Sequence, residues 1–497
     1  MSDEKYSAET GPGESHQCDR SDAPRTAEGL TDWTIPVIPS TRIDPEDWAW
    51  AHEQRKPVDP DITVDQVAAI LLVHQAAGWL PRALNALRRS GERAAVQIAV
   101  DLGSTDGSSD LLMAAVDEGL LDECVTASAD TTPGEGINLA IDRLTDGVTH
   151  IWILHDDVEV RRDSLTCMLR EASRKPHPDV LYPTLLKPAR HNYPEFIDEQ
   201  GQSVSTGGAR VLPVVDRGDI DQKQADPGPI LGGSTAGMFV RVDVWRRLGG
   251  FDPALPLFRD GVDFGWRANE AGMVVRTAPS CTIHHRQAGR GWQRESHLAP
   301  RPDVTDRLAG MRMVAARTGH PTRTSLALLV ASVWRFLVLM VGKAPSRAVD
   351  EWRSGLQLWR SRSVTREMTQ RLQDFHAQCD PDDLENTNRL LPSRRSVWAR
   401  AVDRYAGDLS DRIHPWRNED GTTIDDLTGD DFTVRDHRSV VNPYTVMVSL
   451  MVVIGIVACR GLYGSGRATS TWLAPAPCGL AGAWHRWLTA VPGLSGG

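Results

Sequence analysis

The sequence has few cysteines, no excess of basic residues and no apolar run near its start, and each absence excludes a class of protein. Its seven cysteines are scattered over 497 residues without a CxxC pair, so they form neither a zinc spacing nor a disulfide framework and indicate a reducing compartment. The formal net charge of -11 argues against a nucleic-acid-binding protein. Residues 1–24 lack the apolar core of a signal peptide, so we expect the following segment to begin on the cytoplasmic side.

Composition along the chain predicts four regions in a protein whose overall 40% hydrophobic content is ordinary for a soluble protein. Residues 1–62 are rich in polar residues and proline, which predicts a disordered or extended arm. Residues 63–312 carry the pattern of a folded α/β domain, and residues 313–440 are predicted to form a helical and polar linker region. Residues 441–497 are predicted to hold a membrane helix and a short tail.

The central region alternates short apolar runs with amphipathic stretches. Residues 67–73 (VAAILLV) and 95–100 (AVQIAV) predict buried strands, and the intervening LPRALNALRRS predicts a helix with Leu80, Leu84 and Leu87 on one face. Strands that alternate with helices at these lengths form a parallel, right-handed α/β sheet. The sequence therefore predicts a mostly parallel sheet with helices on its faces.

The segment 151–160 (IWILHDDVEV) is the strongest chemical signal in the chain. An apolar strand ends here in His155, Asp156 and Asp157, which places charge at the edge of the sheet where open α/β folds bind ligands. Two adjacent carboxylates repel each other unless a cation neutralises them, so a divalent metal that holds a diphosphate is one interpretation. A solvated turn after an edge strand is the other interpretation that the residues allow.

Two apolar segments in the C-terminal half indicate contact with a membrane. Residues 325–341 form a hydrophobic helix that Arg335 interrupts, which suits an interfacial or buried helix better than a span. Residues 443–459 carry no charge and reach the short end of the length a span needs, so we predict a transmembrane helix there. A buried core helix is the alternative for this second segment.

Five motifs in sequence order carry a resemblance to a known family: VAAILLV, AVDLGSTDGSSDLL, IWILHDDVEVRRDSL, the long segment 232–272 that begins GGSTAGMF, and APSCTIHH. Together they resemble the inverting glycosyltransferase family 2 with the GT-A fold. Within it, the chain is similar to actinobacterial membrane-associated cell-wall enzymes that transfer rhamnose or galactofuranose. The resemblance covers roughly residues 64–310, and each motif is weak when taken alone.

The resemblance implies a site for a nucleotide-diphosphate sugar. Asp101 matches the family position that contacts the nucleotide base, and Asp156 and Asp157 match the end of the DxD-type motif. Asp156 is therefore predicted to help bind the nucleotide, and Asp157 to hold Mn²⁺ or Mg²⁺ against the phosphates. His285 matches a histidine that completes the metal site in some members, with His284 as a neighbouring alternative.

One departure from the family pattern falls at the predicted catalytic base. The family usually carries two acids where this chain has Asp260 and Gly261, and the second acid is the base in those members. Asp260 or Asp263 is predicted to replace it as the catalytic residue. The alternative is that Asp260 caps a helix while Asp263 pairs with Arg267 at a spacing of four residues.

The acceptor side is predicted from Gly232 and Gly233, whose small size allows close approach, and from Trp266, whose ring suits stacking on a sugar. The predicted function is inverting transfer of a sugar from a UDP- or dTDP-type donor to a cell-wall or polyprenyl-linked glycan, at the cell membrane with the catalytic domain in the cytoplasm. A degenerate domain that binds nucleotide sugar or glycan as a membrane scaffold is the main alternative. A nucleotidyltransferase is a weaker one, because a basic glycine-rich phosphate loop is lacking near the first strand.

Overall fold

The computed structural model describes residues 60–189, 194–289, 294, 296–341, 344–393, 451 and 454. The predicted N-terminal arm lies outside the described residues except for positions 60–62. The predicted membrane helix over 443–459 also lies outside them, apart from two isolated positions. Both therefore stay predictions.

Four parallel strands make up the first half of the main sheet. They are β1 (Val67–Val73), β2 (Val96–Leu102), β3 (Glu123–Ala127) and β4 (His150–His155), in the spatial order β3-β2-β1-β4. Four helices follow strands in this part of the chain: α1 (Leu80–Arg88), α2 (Ser108–Asp117), α3 (Pro133–Ile141) and α4 (Ser164–Ala172). The register sets Leu72 beside His155 and Val73 beside Asp101, so the strands end at one common edge.

The second half of the sheet mixes both strand directions. Its strands are β5 (Val158–Val160), β6 (Val180–Leu186), β7 (Ile197–Glu199), β10 (Phe239–Arg241) and β11 (Val275–His285), while β8 (Ser203–Val204) and β9 (Arg210–Val211) form a separate pair. Strand β10 runs antiparallel between β4 and β6, whereas β11 runs parallel to β6 and antiparallel to β5. The predicted α/β sheet of GT-A type is confirmed, with its parallel part concentrated in the first four strands.

Apolar residues on both faces of β1 explain why this strand lies inside the sheet. Val67, Ala69 and Leu71 join one buried cluster with α1, α2 and α4. Ala68 and Ile70 join the opposite cluster, which includes α3 together with α5 (Val242–Leu248) and α6 (Asp260–Glu270). Because successive side chains of a strand point to opposite faces, an unbroken apolar run is buried only between two helical layers.

Among the described residues, five further helices follow the sheet: α7 (Pro302–Ala316), α8 (Pro321–Val341), α9 (Pro345–Arg360), α10 (Arg362–His376) and α11 (Pro381–Asn388). Helix α7 continues without a break across residue 312, where the sequence predicts a domain boundary, and that boundary stays a prediction. Met313 of α7 and Met368 of α10 pack with Trp266 of α6 in a third buried cluster. These helices therefore support the helix that carries Asp260.

Helix α8 carries the apolar segment that the sequence places near a membrane. Within the described part of the chain, Pro321–Met340 is the single stretch long and apolar enough to cross a bilayer, by length and composition alone. Only 17% of that stretch is buried inside the protein.

Candidate active site

A deep cleft opens at the edge of the sheet where β1, β2 and β4 end. It encloses about 1240 Å³ of empty space, including solvent at its mouth. Its walls include His155 at the end of β4, Asp157 just after it, His285 at the end of β11, and Asp260 at the start of α6. The cleft therefore brings together residues that the sequence separates by up to 130 positions.

His155, Asp157 and His285 form a cluster of potential metal ligands. One ligand atom from each of the three side chains lies within 4.8 Å of the others. The Nε2 atom of His285 is 3.4 Å from the Oδ1 atom of Asp157. The sequence assigned Asp157 and His285 to the metal but did not assign His155, which ends β4 two residues before Asp157 and belongs to the same cluster.

The charges of this cluster suit a cation. Burial lowers the pKa of His155 to about 4, so its imidazole is neutral near pH 7, which is the form that binds metals. Although burial opposes ionisation, the neighbouring His285 holds the pKa of Asp157 well below its ordinary value. The Nδ1 atom of His285 is buried and has no hydrogen-bond partner among the described residues. Two imidazoles, one of them with an unpaired ring nitrogen, and one carboxylate fit a divalent transition-metal ion.

Neighbouring groups hold the ligand side chains in place. The backbone amide of Ala288 donates to Asp157 Oδ2 at 2.8 Å, and the hydroxyl of Thr235 lies 2.9 Å from His155 Nε2. Such supporting contacts fix the orientation of metal ligands. His284 lies 3.5 Å from Glu195 instead, because successive side chains of β11 point in opposite directions. The alternative that His284 replaces His285 in the cluster therefore has no support in the described geometry.

Asp156 lies behind the cluster rather than in the cleft wall. Its Oδ2 atom accepts from the backbone amide of His74 at 2.9 Å, and its Oδ1 atom accepts from the Trp79 indole at 3.2 Å. The Arg294 guanidinium also contacts Oδ1. These contacts link the ends of β1 and β4. The predicted nucleotide-binding role of Asp156 stays a prediction, and the observed contacts are structural.

Asp101 is also buried, and residues that follow it in the chain donate hydrogen bonds to its carboxylate. The backbone amide of Ser104 donates to Oδ1 at 3.0 Å, and the Ser109 hydroxyl donates to Oδ2. The neighbouring Leu102 and His74 line the cleft while Asp101 does not. The contact of Asp101 with the nucleotide base stays a prediction. That contact would require one of these two hydrogen bonds to the carboxylate to break.

Asp260 is the acidic residue that lines the cleft on the side of α6. Burial raises the pKa of its carboxyl to about 6, so the group changes protonation near physiological pH. Phe258 and Arg259, the two residues before it, have φ angles of 58° and 60°. Left-handed backbone is unfavourable for such residues and is often found at functional sites. Asp260 therefore combines a raised pKa with a place in the cleft wall, and its predicted catalytic role stays a prediction.

Asp263 lies one turn further along α6, away from the cleft. It is fully buried between two arginines, with Arg267 Nε at 2.8 Å and Arg317 at 2.9 Å. Burial alone would raise the pKa of Asp263, but the two guanidinium groups hold it below its usual value. The structure thus agrees with the alternative in which Asp263 pairs with Arg267. Its catalytic role stays a prediction without a contact to the cleft.

The three predicted acceptor residues lie in different environments. Gly233 lines the cleft. Gly232 packs so closely on α6 that a Cβ atom there would be 2.8 Å from Val262 Cα. Trp266 faces the cluster formed with α7 and α10, where the Arg317 guanidinium lies 4.0 Å from its ring centroid. The structure therefore places Trp266 in the core rather than beside an acceptor.

An ion-pair network beneath Asp260 gave no signal in the sequence. Asp306 of α7 accepts from Arg259 Nε and from Arg210, each at 2.7 Å. Glu199 in turn accepts from Arg210 at 3.2 Å and from the Ser234 amide at 2.9 Å. Because these partners are far apart in sequence, no local pattern predicts them. The network supports the left-handed backbone before Asp260.

Comparison with curated proteins finds a relative among the rhamnosyltransferases. The chain is 26% identical over 253 residues to N-acetylglucosaminyl-diphospho-decaprenol L-rhamnosyltransferase of Mycobacterium tuberculosis, in two strains. The match covers 47% of this chain and 81% of that protein. The predicted resemblance to an actinobacterial rhamnosyltransferase is confirmed. No protein-family model matches the chain.

Three solved structures match the chain at TM-scores below 0.5. GalNAc-T7 with UDP, GalNAc and Mn²⁺ matches at a TM-score of 0.39 and 10% identity, over 53% of this chain and about half (51%) of that protein. Residues 1–349 of Staphylococcus aureus TarS match at 0.34 and 12%, over 60% and 91% of the two chains. The mannosyltransferase PcManGT of Pyrobaculum calidifontis, with GDP-Man and Mn²⁺, matches at 0.37 and 16%, over 64% and 93%.

Proposed function

We propose that the protein is a metal-dependent inverting glycosyltransferase that moves a sugar from a nucleotide-diphosphate donor to a lipid-linked or cell-wall glycan. The observation that carries this proposal is a single cleft lined by both the cluster of His155, Asp157 and His285 and by the carboxyl of Asp260. The first supplies a place for a diphosphate with its cation, and the second supplies a base for the acceptor.

The rhamnosyltransferase of M. tuberculosis supports the substrate class. Its name describes transfer of rhamnose to N-acetylglucosaminyl-diphospho-decaprenol, which is a lipid-linked acceptor. We extend this acceptor class, and a UDP- or dTDP-type donor, to the present chain. A lipid-linked acceptor also supports a location at the cell membrane, with the catalytic domain on the cytoplasmic side.

The proposed reaction exchanges one bond at the anomeric carbon. The acceptor hydroxyl oxygen attacks that carbon from the face opposite to the nucleotide, and the bond to the diphosphate oxygen breaks, so the configuration inverts. Asp260 takes the hydroxyl proton as the new bond forms, and the nucleoside diphosphate leaves. A cation held by His155, Asp157 and His285 would offset the charge that develops on the departing diphosphate.

The direct test is nucleotide binding by the full-length chain in detergent. Calorimetry would measure the binding of UDP, dTDP and GDP, each with and without Mn²⁺. We expect one nucleotide to bind, and only with the metal. Asp157→Ala should abolish this metal-dependent binding because the variant removes the carboxylate ligand of the cluster.

A matched control and a second measurement separate the enzyme from the scaffold alternative. Asp117→Ala replaces an exposed aspartate at the end of α2, outside both the cluster and the cleft lining, so its nucleotide binding should equal that of the wild type. Absence of binding for all three nucleotides would refute the donor site. Binding without transfer of a radiolabelled sugar to lipid-linked acceptor would favour the membrane scaffold that binds nucleotide sugar.

A further inference from the structure

Helix α8 presents an apolar face that no other described part of the protein covers. Leu326, Val330, Val333, Trp334, Leu337 and Val338 recur at helical spacing, and all six are exposed. Trp334 at 67% is the most exposed of them. A contiguous apolar strip of this kind on a protein surface marks a site of contact with a membrane or another protein. We call these six residues the apolar face of α8.

The opposite face of α8 is fixed to the protein. Ser332 is buried against α9, where a Cβ atom at Gly355 would be 2.7 Å from the Ser332 Cβ. Leu328 packs with Leu358 of α9 and with residues of α7. Arg335 pairs with Glu351 of α9 at 3.0 Å. One side of helix α8 therefore packs against neighbouring helices that carry partly buried charged groups.

This packing decides how α8 can meet a bilayer. Its 21 residues reach about 31 Å, which is long enough to cross the hydrocarbon core. Crossing would carry Arg335, Glu351 and the attached helices into hydrocarbon, where charged groups are costly. A helix with one apolar face and one face bound to a polar protein instead lies in the plane of the interface.

The charge of the surrounding surface indicates what kind of membrane it meets. The described residues of α8 and α9, 321–341 and 344–360, contain five arginines but only one aspartate and one glutamate. The whole chain, by contrast, has a net charge of -11. A local basic excess on an acidic protein is complementary to anionic lipid headgroups. Exposed tryptophan also favours the boundary between headgroups and hydrocarbon.

We propose that α8 is an in-plane membrane anchor whose apolar face enters the headgroup boundary of an anionic bilayer. The anchor is linked to the cleft by ion pairs. Glu351 of α9 holds Arg307 of α7 at 2.8 Å, and the adjacent Asp306 holds Arg259, the residue before Asp260. Docking of α8 thus fixes the height of the cleft above the membrane. The anchor does not depend on the proposed function, since it concerns a surface outside the cleft.

The test measures the depth of two positions on the apolar face. Leu326 and Leu337 are similarly exposed, at 47% and 50%, and lie eleven residues apart. They face the same direction within about 20° and are separated by about 16 Å along the helix. A fluorescent amino acid would replace each in turn in the full-length chain. The protein would be reconstituted into phosphatidylglycerol-containing liposomes whose lipids carry bromine either near the headgroup or near the chain end.

We expect both positions to be quenched, and both more strongly by the shallow bromines than by the deep ones. The control position is Met113 of α2, an apolar residue of similar exposure at 52%, where we expect no quenching. Trp334→Glu should reduce quenching at Leu326 and Leu337, whereas Met113→Glu should leave it unchanged. Because Trp334 and Met113 are both exposed, neither substitution disturbs a buried contact.

Three outcomes would overturn the proposal. Shallow quenching at one position and deep quenching at the other would mean that α8 crosses the bilayer. Absence of quenching at both positions would mean that the apolar face meets no lipid. A second copy of the chain on this face would give the same absence, together with a dimer by light scattering that Trp334→Glu converts to a monomer.

Discussion

The carbonyl oxygen of Gly233 lies 2.5 Å from the position that a Cβ atom would take at Gly261. A Cβ atom at Gly261 would also be 2.9 Å from Thr235 Cγ2. Contacts this short do not occur for real Cβ atoms, so the loop at Gly233 and the first turn of α6 require glycine at position 261. Tyr182 adds to this packing by donating a hydrogen bond to the Gly261 carbonyl at 2.7 Å. Gly261, which stands where the resemblance predicts a second acid, is thus part of a close backbone contact.

We predict that Gly261→Asp lowers stability and does not increase glycosyl transfer. The new Cβ atom forces the Gly233 loop or α6 to move, and such overpacking costs roughly 1–3 kcal/mol. Thermal unfolding of the wild type and the variant would measure this cost. The matched control is Gly319→Ala, at a glycine with open space around it, which should leave the unfolding temperature nearly unchanged. A clear gain in transfer by Gly261→Asp would contradict the assignment of Asp260 as the base.

The pH dependence of transfer tests Asp260 directly. Because burial raises the pKa of its carboxyl to about 6, the basic form is lost as the pH falls below that value. We expect the transfer rate to rise between pH 5 and 7. We expect Asp260→Asn to lower it by roughly 10²–10⁴-fold, the usual contribution of a general base. Nucleotide binding by the variant should persist, and a flat profile between pH 5 and 7 would refute the role.

The ionised carboxylate of Asp260 should lower the stability of the folded protein, so thermal unfolding gives a second measurement on Asp260→Asn. A folded-state pKa above the unfolded value means that Asp260 contributes stability at low pH that is lost as the pH rises through about 6. Near pH 8 the ionised carboxylate is buried at a cost of up to about 3 kcal/mol, and an amide avoids this cost. Asp260→Asn should therefore unfold at a higher temperature than the wild type at pH 8, and not at pH 4.

The sequence predicted the strands whose structure is determined by neighbouring residues in the chain. The apolar run 67–73 is strand β1 with the predicted bounds, because an unbroken apolar stretch of seven residues has one favourable environment between two helical layers. The sequence patterns at 274–277 and 282–285 resemble two short strands, but they belong to one strand, β11. Its register on β6 shifts between Ala278 and Thr282, and this irregularity made one strand resemble two.

The sequence predicted the site residues that neighbouring residues in the chain identify. It missed those whose place in the site depends on tertiary contacts. Asp157 was recognised from its place at a strand end. The contact between Thr235 and His155 joins residues 80 positions apart, so no spacing rule reveals that His155 is held in the cluster. Trp266 illustrates the reverse case, since an aromatic residue on a helix has the same pattern whether it stacks on a sugar or, as here, packs in a core.

His155 should determine which metal the cluster prefers. Imidazole ligands suit transition-metal ions, whereas Mg²⁺ favours oxygen ligands, so two histidines and one carboxylate favour Mn²⁺ or a softer ion over Mg²⁺. We expect His155→Asp to lower the ratio of Mn²⁺ to Mg²⁺ affinity by roughly tenfold or more, since even outer-shell partners change metal affinity by 10–100-fold. Calorimetry of each metal in the presence of the bound nucleotide would measure this ratio.

The control for this experiment is the neighbouring histidine. His284 faces Glu195 and lies outside the cluster, so His284→Asn should leave the ratio of the two affinities unchanged. Equal ratios for the wild type and His155→Asp would show that His155 is not a ligand. The cluster would then contain only Asp157 and His285 from the described residues, as the sequence predicted.

Asp263 provides a test of structure against catalysis on the same helix as Asp260. Removing one member of a buried ion-pair cluster leaves uncompensated charge, here on Arg267 and Arg317, and costs about 3–5 kcal/mol. Denaturant unfolding of Asp263→Ala should therefore show a large loss of stability. Glu118→Ala removes the exposed pair with Arg88 and should cost no more than about 1 kcal/mol.

Because the two arginines hold the pKa of Asp263 below its usual value, its contribution to stability should be lost as the pH falls, opposite to that of Asp260. An Asp263→Ala variant with wild-type stability but no transfer activity would instead assign a catalytic role to this carboxylate.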